Sequence, residues 1–308
     1  MIERTFRSYT AEQGKTYVQN RLDYHPNLYN TVLTHHTSTG GKLDLILDIG
    51  CGPGLAIANL APHFAHAIGL DPSEGMIETA HSRTDLPTTA AGNPIRFEVS
   101  TAEDLGNNLT PPIADRSVDL IVVATAAHWF DMPSFWAAAA RVLKPNGTVA
   151  IWASGHMSVH PDMPNAAAIQ EELDKIEAQY VQQYFTAGNW ITRDRYENLA
   201  LPWTAEPKIA GYNPTSFVRK DWAARDEDFY AVGQPEVSLD AFERIIGTGS
   251  PITRWREANP ELVGTERDVV KIFRRTIEQL LRDVGIKEGE ERVRAATAGF
   301  LLMVKRKA

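Results

Sequence analysis

Short apolar runs and amphipathic stretches alternate along the first half of the chain. Most of the runs are apolar throughout, which is typical of strands buried on both faces of a sheet. The stretches between them place apolar residues at helical spacing. Because strand and helix alternate, the pattern predicts a parallel sheet with helices on both faces. The predicted strands are residues 45–47, 65–70, 95–99, 118–124 and 148–153.

The pattern changes in the second half of the chain. Apolar residues over 166–184 share one face of a long predicted helix, and large aromatic side chains then follow in irregular order. Such aromatics either pack in a core or cover an apolar pocket. A second amphipathic helix is predicted over 265–284, with Thr265 and Asp268 as its capping box. Residues 299–305 are predicted to form the last strand.

The composition limits the class of protein. The 308 residues carry a formal net charge of -8, which disfavours a surface for nucleic-acid phosphates. The longest apolar run, 118–127, is too short to cross a bilayer. Cys51 is the single cysteine, so no intramolecular disulfide can form and a reducing compartment is expected. We therefore expect a cytoplasmic monomer or homodimer with no nucleic-acid or membrane partner.

A tight glycine turn follows the first predicted strand. Asp48 ends the strand, and glycines then alternate with other residues at Gly50, Gly52 and Gly54. Glycines let a ligand approach the backbone closely, and the helix that begins at Leu55 presents free N–H groups. The dinucleotide fingerprint G-x-G-x-x-G requires a glycine where this chain has Leu55, so the spacing weakens that interpretation.

Further candidate residues follow the second and fourth predicted strands. Asp71 lies about 20 residues beyond the turn, where nucleotide-binding α/β proteins place an acidic residue on the ribose hydroxyls. Pro72 comes next. Met76 lies on the following predicted helix, where its side chain is expected to pack either against the face of an adenine ring or in the core. His128 and Trp129 follow the fourth strand, at the edge where such sheets bind ligands. The sequence therefore predicts a nucleotide-like ligand at this edge.

These segments resemble the class I S-adenosylmethionine-dependent methyltransferases, and among them the fungal trans-aconitate methyltransferase family. The resemblance is strongest over residues 43–153 and weakest over 154–235. Within the core it is carried by LDIGCGPG, IGLDPSEGMIETA, STAEDL, AAHWFD and RVLKPNGTVAIW. Outside the core it is carried by RLDYHPNLYNTVLTHH and SPITRWREANPE.

The resemblance implies S-adenosylmethionine as the methyl donor, with S-adenosylhomocysteine as the product. In the family, an aspartate that accepts a hydrogen bond from the adenine amino group stands where this chain has Thr101. The adenine partner is therefore expected to be the Thr101 hydroxyl or Glu103. The implied cofactor-binding residues are Asp48, Gly50, Cys51, Gly52, Gly54, Asp71, Pro72, Met76, Thr101, Ala102, Glu103 and Ala124.

The implied fold is α/β: a Rossmann-like, doubly wound, mostly parallel sheet of seven strands whose last strand runs antiparallel. Residues 1–42 are expected to form an N-terminal helical lid, or simply to pack on the sheet, and residues 43–153 to form the cofactor-binding core. Residues 154–264 are expected to form a helical and aromatic substrate cover that includes a sixth strand. Residues 265–308 then supply the final helix and strand.

The methyl acceptor is expected to be a small molecule, methylated on a carboxylate or hydroxyl oxygen. A carboxylate is already ionised at neutral pH and needs no general base, but it needs cations such as arginine to hold it. For a hydroxyl, phenol or amine acceptor, His128 is the candidate catalytic base. Otherwise His128 only lines the pocket. The predicted substrate residues are Tyr17, Arg21, His128, Trp129 and Arg254.

Two other functions compete with methyl transfer. An NAD-dependent oxidoreductase would use Asp71 but lacks the third glycine, at Leu55. A cyclase or other non-methylating protein on this fold would bind S-adenosylmethionine without transferring its methyl group. His156 and His160 have a spacing found in zinc sites, but no acidic residue completes the HExxH motif. No metal site is therefore predicted.

Overall fold

The computed structural model describes residue 7 and residues 9–226, 228–231, 233 and 235–308. These residues form a mixed sheet with helices on both of its faces. The strands are β1 (Leu45–Ile49), β2 (His66–Asp71), β3 (Arg96–Val99), β4 (Val118–Ala124), β5 (Leu143–Val159), β6 (Tyr212–Trp222), β7 (Glu236–Ser238) and β8 (Arg292–Arg306).

Strand order identifies the architecture as doubly wound. Seven strands follow one another in the order β3-β2-β1-β4-β5-β8-β6. Neighbours from β3 to β5 are parallel, whereas β8 runs antiparallel between β5 and β6. The predicted seven-stranded, mostly parallel sheet with an antiparallel last strand is therefore confirmed. The short β7, which also pairs with β8, is an eighth strand that the sequence did not predict.

The helices differ from the predictions mainly at their ends. The buried Asp268 caps the last helix by accepting a hydrogen bond from the backbone N–H of Val270 at 3.0 Å, so the capping box predicted at Thr265 is wrong. The α-helices are α1 (Ala11–Asn20), α2 (Pro26–Ser38), α3 (Leu55–Leu60), α4 (Glu74–Ser82), α5 (Met132–Val142), α6 (Ala166–Ile176), α7 (Ala187–Arg193), α8 (Leu239–Gly247), α9 (Ser250–Ala258) and α10 (Val269–Arg282).

Several predicted elements have different lengths in the structure, including the last strand, which begins at Arg292 and not at residue 299. The long helix predicted over 166–184 is α-helical only to Ile176 and then continues as π and 3-10 turns to Tyr184. Strand β5 runs past its predicted end at residue 153 because it pairs with β8 again beyond a bulge between Ser154 and Met157. The core sheet therefore extends into the region predicted as cover.

The sheet is buried on both faces, as its apolar runs predicted. Along β4, Ile121 and Val123 pack in one apolar cluster with Trp136 of α5. Leu120 and Val122 pack in a second cluster, which includes residues of α2, α3 and α4. Alternate residues of a strand point to opposite faces, so a continuous apolar run fills both clusters. Because β3, β2, β1 and β4 are parallel neighbours, the loops that follow these four strands meet at one edge of the sheet.

The region predicted as cover has its own apolar contacts. Helices α6, α8 and α10 share one cluster, and α9 packs with the π turn and α10 in another. Among the described residues, no helix combines the length and the apolar character that crossing a membrane requires.

The N-terminal helix α1 crosses α4, the helix that follows β2. A Cβ atom at Gly75 would lie 2.1 Å from the Tyr9 carbonyl oxygen, and one at Gly14 would lie 2.3 Å from the Thr79 hydroxyl. That hydroxyl bonds the carbonyls of Ala11 and Gly75, at 3.0 and 2.8 Å. The close approach places α1 beside the start of α4, at the same edge of the sheet as the glycine turn.

Gly75→Ala should push α1 away from α4, because the added methyl group overlaps backbone rather than a flexible side chain. We expect a loss of about 1–3 kcal/mol in the free energy of unfolding, measured by urea denaturation. Glu78→Ala, at an exposed position of the same helix, is the control and should have little effect. Equal stability of the two variants would contradict this packing of α1.

Candidate functional site

The glycine turn lies at the carboxyl end of β1, between the loops that follow β2 and β4. The backbone N–H groups of Gly50 and Cys51 donate to the Leu70 carbonyl at 2.8 and 3.1 Å. A Cβ atom at Gly50 would lie 2.6 Å from the Cβ of Ala126, whereas nothing lies within 4 Å of one at Gly52. Both glycines have left-handed φ, at 68° and 51°. The turn therefore packs on protein at Gly50 and leaves space for a ligand at Gly52.

Asp71 holds this turn from the end of β2. One of its carboxylate oxygens accepts a hydrogen bond from the N–H of Gly52, and the other accepts from the N–H of Ser73, both at 2.9 Å. Burial raises the pKa of Asp71 to about 6, and the two hydrogen bonds oppose the shift. Each carboxylate oxygen has a second lone pair. Asp71 thus keeps acceptor capacity for the predicted ribose hydroxyls.

Asp48 is fully buried just before the turn. Neither of its carboxylate oxygens has a hydrogen-bond partner among the described residues. Burial, and then the nearby Asp71 carboxylate, raise the pKa of Asp48 to about 8, and the backbone of Ile57 weakly opposes the shift. A buried, unpaired carboxylate destabilises a fold, and a cation beside it removes that cost. The site therefore fits a cationic ligand such as S-adenosylmethionine, which carries a sulfonium group.

The loop after β3 is tied to the loop after β4. Glu103 accepts a hydrogen bond from the backbone N–H of Asp131 at 2.9 Å, and the neighbouring Ala102 is buried. The Thr101 hydroxyl donates to the Asp104 carboxylate and accepts from the Asp104 N–H, both at 3.1 Å. Both candidate adenine partners thus already have protein partners, and adenine recognition by either stays a prediction.

The other predicted cofactor residues lie around the same edge. Gly54 is the N-cap of α3, and Met76 is buried at the start of α4. Pro72 and Ala124 are partly buried beside the ends of β2 and β4. Burial raises the pKa of the Cys51 thiol well above its ordinary value, so the residue stays neutral and unreactive.

His128 lies in a 3-10 turn after β4 and is held by Tyr196. The Tyr196 Oη lies 2.5 Å from His128 Nδ1 and accepts the backbone N–H of His128 at 3.3 Å. The Trp129 ring lies beside the imidazole, with 4.4 Å between ring centroids. Burial, and then the Arg21 guanidinium, lower the pKa of His128 to about 3. The imidazole is therefore neutral at physiological pH and is a weak base.

Arg21 follows α1 directly and lies among tyrosine side chains. Its guanidinium carbon lies 4.8 Å from the centroid of the Tyr17 ring, and it interacts electrostatically with Tyr24, Tyr230 and His128. The Nε atom is buried without a hydrogen-bond partner. Within the described part of the chain, no carboxylate forms an ion pair with Arg21. A guanidinium in this setting fits an anionic ligand.

Tyr24 and Tyr230, which the sequence did not assign to the site, join the N-terminal region to the cover. Their rings stack with centroids 5.8 Å apart, and their backbones form a β-bridge. The Tyr24 hydroxyl bonds the Thr125 hydroxyl at 2.7 Å, across 101 residues of sequence. In the sequence, Tyr24 lies close to Arg21 in a segment rich in aromatic residues, and that proximity was a weak indication that Tyr24 belongs to the site. Tyr230 and Tyr196 had no local signal, because their partners are distant in sequence.

Arg254 lies on α9 and is engaged within the cover. Its Nε donates to the Tyr184 carbonyl at 2.8 Å, and a terminal nitrogen donates to the Asn189 side chain at 2.6 Å. Asn189 adjoins Gly188, where a Cβ atom would lie 2.8 Å from the Trp129 ring. Arg254 thus supports the wall behind Trp129, and its direct contact with a substrate stays a prediction.

The two histidines with zinc-like spacing have different neighbours. A ring nitrogen of His156 lies 3.9 Å from a carboxylate oxygen of Glu177, whereas His160 Nδ1 lies 3.7 Å from Asp162. Within the described ranges, no group of three or more His, Cys, Asp or Glu side chains is arranged to hold a metal ion.

The strand order and the glycine turn define a doubly wound α/β domain that binds a nucleotide-like cofactor. Residues 47–151 match the family model described as a methyltransferase domain. The chain contains a class I S-adenosylmethionine-dependent methyltransferase domain, and S-adenosylmethionine is the cofactor of that class.

Individual relatives support the same class. The Saccharomyces cerevisiae protein CRG1, named a probable S-adenosylmethionine-dependent methyltransferase, is 24% identical over 261 residues, which cover 82% of each chain. A Dictyostelium discoideum protein named as a methyltransferase is 37% identical over 146 residues, 47% of this chain and 49% of the relative. The match thus spans about half the length of that relative.

A solved structure supports the fold. A protein described as a type II methyltransferase from Anaeromyxobacter dehalogenans superimposes with a TM-score of 0.60 at 22% identity. The match covers 93% of this chain and 97% of the other. The likeness therefore extends beyond the methyltransferase domain into the cover.

Asp48→Asn should make the protein without cofactor more stable at high pH. The pKa of Asp48 is raised to about 8 in the folded state. The folded state therefore holds the proton of this carboxyl group more tightly than the unfolded state does, and the stability that this gives is complete below the ordinary aspartate pKa. It is lost as pH rises from there through 8, where the buried group must ionise. At pH 8.5 we expect the variant to exceed the wild type by about 1–3 kcal/mol in unfolding free energy. At pH 4 the difference should nearly vanish. Thermal unfolding across this range measures both.

The same variant should bind S-adenosylmethionine more weakly, because asparagine cannot ionise when the sulfonium group lies beside it. Asp44→Asn is the control: Asp44 is exposed, lies just before β1 and pairs with Lys144. Isothermal titration gives the affinity of both variants. The role given to this carboxylate would be refuted if Asp48→Asn were less stable than the wild type at pH 8.5 and bound the cofactor normally.

Proposed function

We propose that this chain transfers a methyl group from S-adenosylmethionine to a carboxylate oxygen of a small organic acid. The observation that carries the proposal is the guanidinium of Arg21, which is buried beside His128 without an acidic partner among the described residues. Its side chain interacts with His128 at the carboxyl end of β4. An acid anion is the ligand that this guanidinium lacks.

The cofactor is proposed to lie along the glycine turn. Gly52 offers open space beside the backbone, Asp71 offers acceptor oxygens, and Asp48 offers an unpaired carboxyl group that can ionise when a cation lies beside it. When bound, S-adenosylmethionine supplies a sulfonium methyl group: the acceptor oxygen forms the new C–O bond while the C–S bond breaks and leaves its electron pair on sulfur. The products are a methyl ester and S-adenosylhomocysteine.

The protein's own task is to hold the acid and exclude water. Orientation of two reactants can supply roughly 7–11 kcal/mol of the barrier in well-aligned cases. Arg21 would bind the carboxylate, while Tyr17, Tyr24 and Tyr230 surround the guanidinium and restrict its motion. No proton leaves a carboxylate during transfer, so no base is required.

The state of His128 favours a carboxylate over a hydroxyl acceptor. A general base works best with a pKa near the operating pH, whereas burial lowers the pKa of His128 to about 3. A hydroxyl acceptor would therefore receive little help from this imidazole. A carboxylate acceptor does not need that help.

The proposal is tested with methyl-labelled S-adenosylmethionine and a panel of small carboxylic acids, phenols and alcohols. We expect label in a product that alkali hydrolyses to labelled methanol, as a methyl ester does. Label that resists alkali would indicate an ether and would overturn the proposed acceptor. Cofactor binding without any transfer would favour a non-methylating protein, and thermal stabilisation by NAD alone would favour an oxidoreductase.

Arg21→Lys should raise the KM for the acid about 10- to 100-fold, since lysine retains the charge but not the planar fork that a carboxylate accepts. The affinity for S-adenosylmethionine should change little. Arg244→Ala, at an exposed position on α8, is the control for loss of a positive charge. An unchanged KM in Arg21→Lys and in Arg21→Ala would remove Arg21 from the acceptor site.

A further inference from the structure

One phenol oxygen bonds His128 twice. Tyr196 Oη accepts the backbone N–H of His128 at 3.3 Å and lies 2.5 Å from Nδ1 of the same residue. The other ring nitrogen, Nε2, has no hydrogen-bond partner among the described residues. It is also not among their fully buried, unpaired polar atoms, so it keeps some exposed surface. Nε2 is therefore the nitrogen that a ligand can reach.

The backbone at Tyr196 is held in an unusual conformation. Arg195 and Tyr196 both have left-handed φ, at 52° and 57°, which is rare for residues with bulky side chains. The Tyr196 N–H donates to the Ile191 carbonyl at 3.0 Å, and the ring packs edge-on against Phe300 with 4.8 Å between centroids. Strained residues that the surroundings hold in place often serve a functional site. Here the strain delivers a single hydroxyl to His128.

The hydrogen-bond partners decide where the proton lies. The backbone N–H of His128 can only donate, so it uses one lone pair of the Tyr196 oxygen. The Thr192 hydroxyl is a second side-chain partner of the phenol. Its own hydrogen goes to the Gly188 carbonyl at 2.9 Å, so towards Tyr196 it can only accept. Of the two acceptors near the phenol hydrogen, Nδ1 is the one that makes the short contact, at 2.5 Å. With Nδ1 accepting, the neutral imidazole carries its hydrogen on Nε2.

We propose that Tyr196 is a positioning residue that fixes His128 as the Nε2–H tautomer, so that His128 presents a hydrogen-bond donor to the methyl acceptor. The inference rests on the proposed function in one respect: a donor is useful there because the acceptor is an acid anion. One carboxylate oxygen would attack the methyl carbon while the N–H holds the other. The imidazole remains neutral, so it does not repel the sulfonium group or Arg21.

The tautomer is measured directly by nitrogen NMR of the full chain labelled at histidine. The spectrum of His128→Gln identifies the His128 signals by their absence. We expect Nε2 to bear hydrogen and Nδ1 to lack it in the wild type, and the preference to weaken in Tyr196→Phe. A hydrogen on Nδ1 in the wild type would overturn the proposal. This readout needs no acceptor, so it is independent of whether the acid is the true substrate.

Kinetics test the use of the donor. Tyr196→Phe should raise the KM for the acid up to about 10-fold while leaving the affinity for S-adenosylmethionine unchanged. Tyr212→Phe is the matched control, because it removes another buried phenol hydroxyl, one that bonds the Trp136 carbonyl at 2.8 Å. If both variants raise the KM equally, the effect is a general loss of packing and Tyr196 has no special role.

Two substitutions of His128 separate a donor from a base. Glutamine offers an N–H group near the position of Nε2 but cannot take up a proton, whereas alanine offers neither. We expect His128→Gln to retain about 10-fold more kcat/KM than His128→Ala. Equal loss in the two variants would indicate a base and contradict the proposal. If no acid is methylated at all, the proposed function fails while the NMR result still decides the tautomer.

Discussion

The two hydrogen bonds of the Asp71 carboxylate hold the ends of β1 and β2 in one arrangement, and the cofactor half of the site depends on them. One bond reaches the backbone of Gly52 and the other secures Asp71's own loop at Ser73. The Leu70 carbonyl adds two bonds to the turn from the strand itself. A glycine turn is intrinsically mobile because glycine has few steric restrictions. These contacts restrict it to one conformation before any ligand arrives.

The same arrangement brings a second carboxylate, Asp48, into the interior without a hydrogen-bond partner among the described residues. Burial raises the pKa of both carboxyl groups, and the Asp71 carboxylate raises that of Asp48 further. Such a site is less stable than an apolar one of the same shape. Its stability is recovered when a cation binds, so stability and affinity for a sulfonium cofactor are linked through one charge.

The proposed acceptor half of the site is assembled from segments far apart in the chain. Arg21 comes from the end of α1, His128 from the loop after β4, and Tyr196 and Tyr230 from the cover. The charge of Arg21 and the burial of His128 act in the same direction, since both keep the imidazole neutral. In the proposed reaction, a neutral imidazole repels neither the sulfonium group of the donor nor the Arg21 guanidinium.

The sequence by itself determined the sheet and the cofactor turn, because both are local patterns. Apolar runs mark strands buried on two faces, and the glycines, Asp48 and Asp71 lie at fixed distances from them. Three features depend on hydrogen bonds that no sequence pattern predicts. Asp268 caps α10, β5 continues to Val159 by pairing with β8, and Arg254 donates to the Tyr184 carbonyl within residues 154–264. The tertiary structure alone placed Tyr196 on His128 and Tyr230 against Tyr24. These pairs lie far apart in sequence, and only the packing of the N-terminal segment and of residues 154–264 against the sheet edge brings them together.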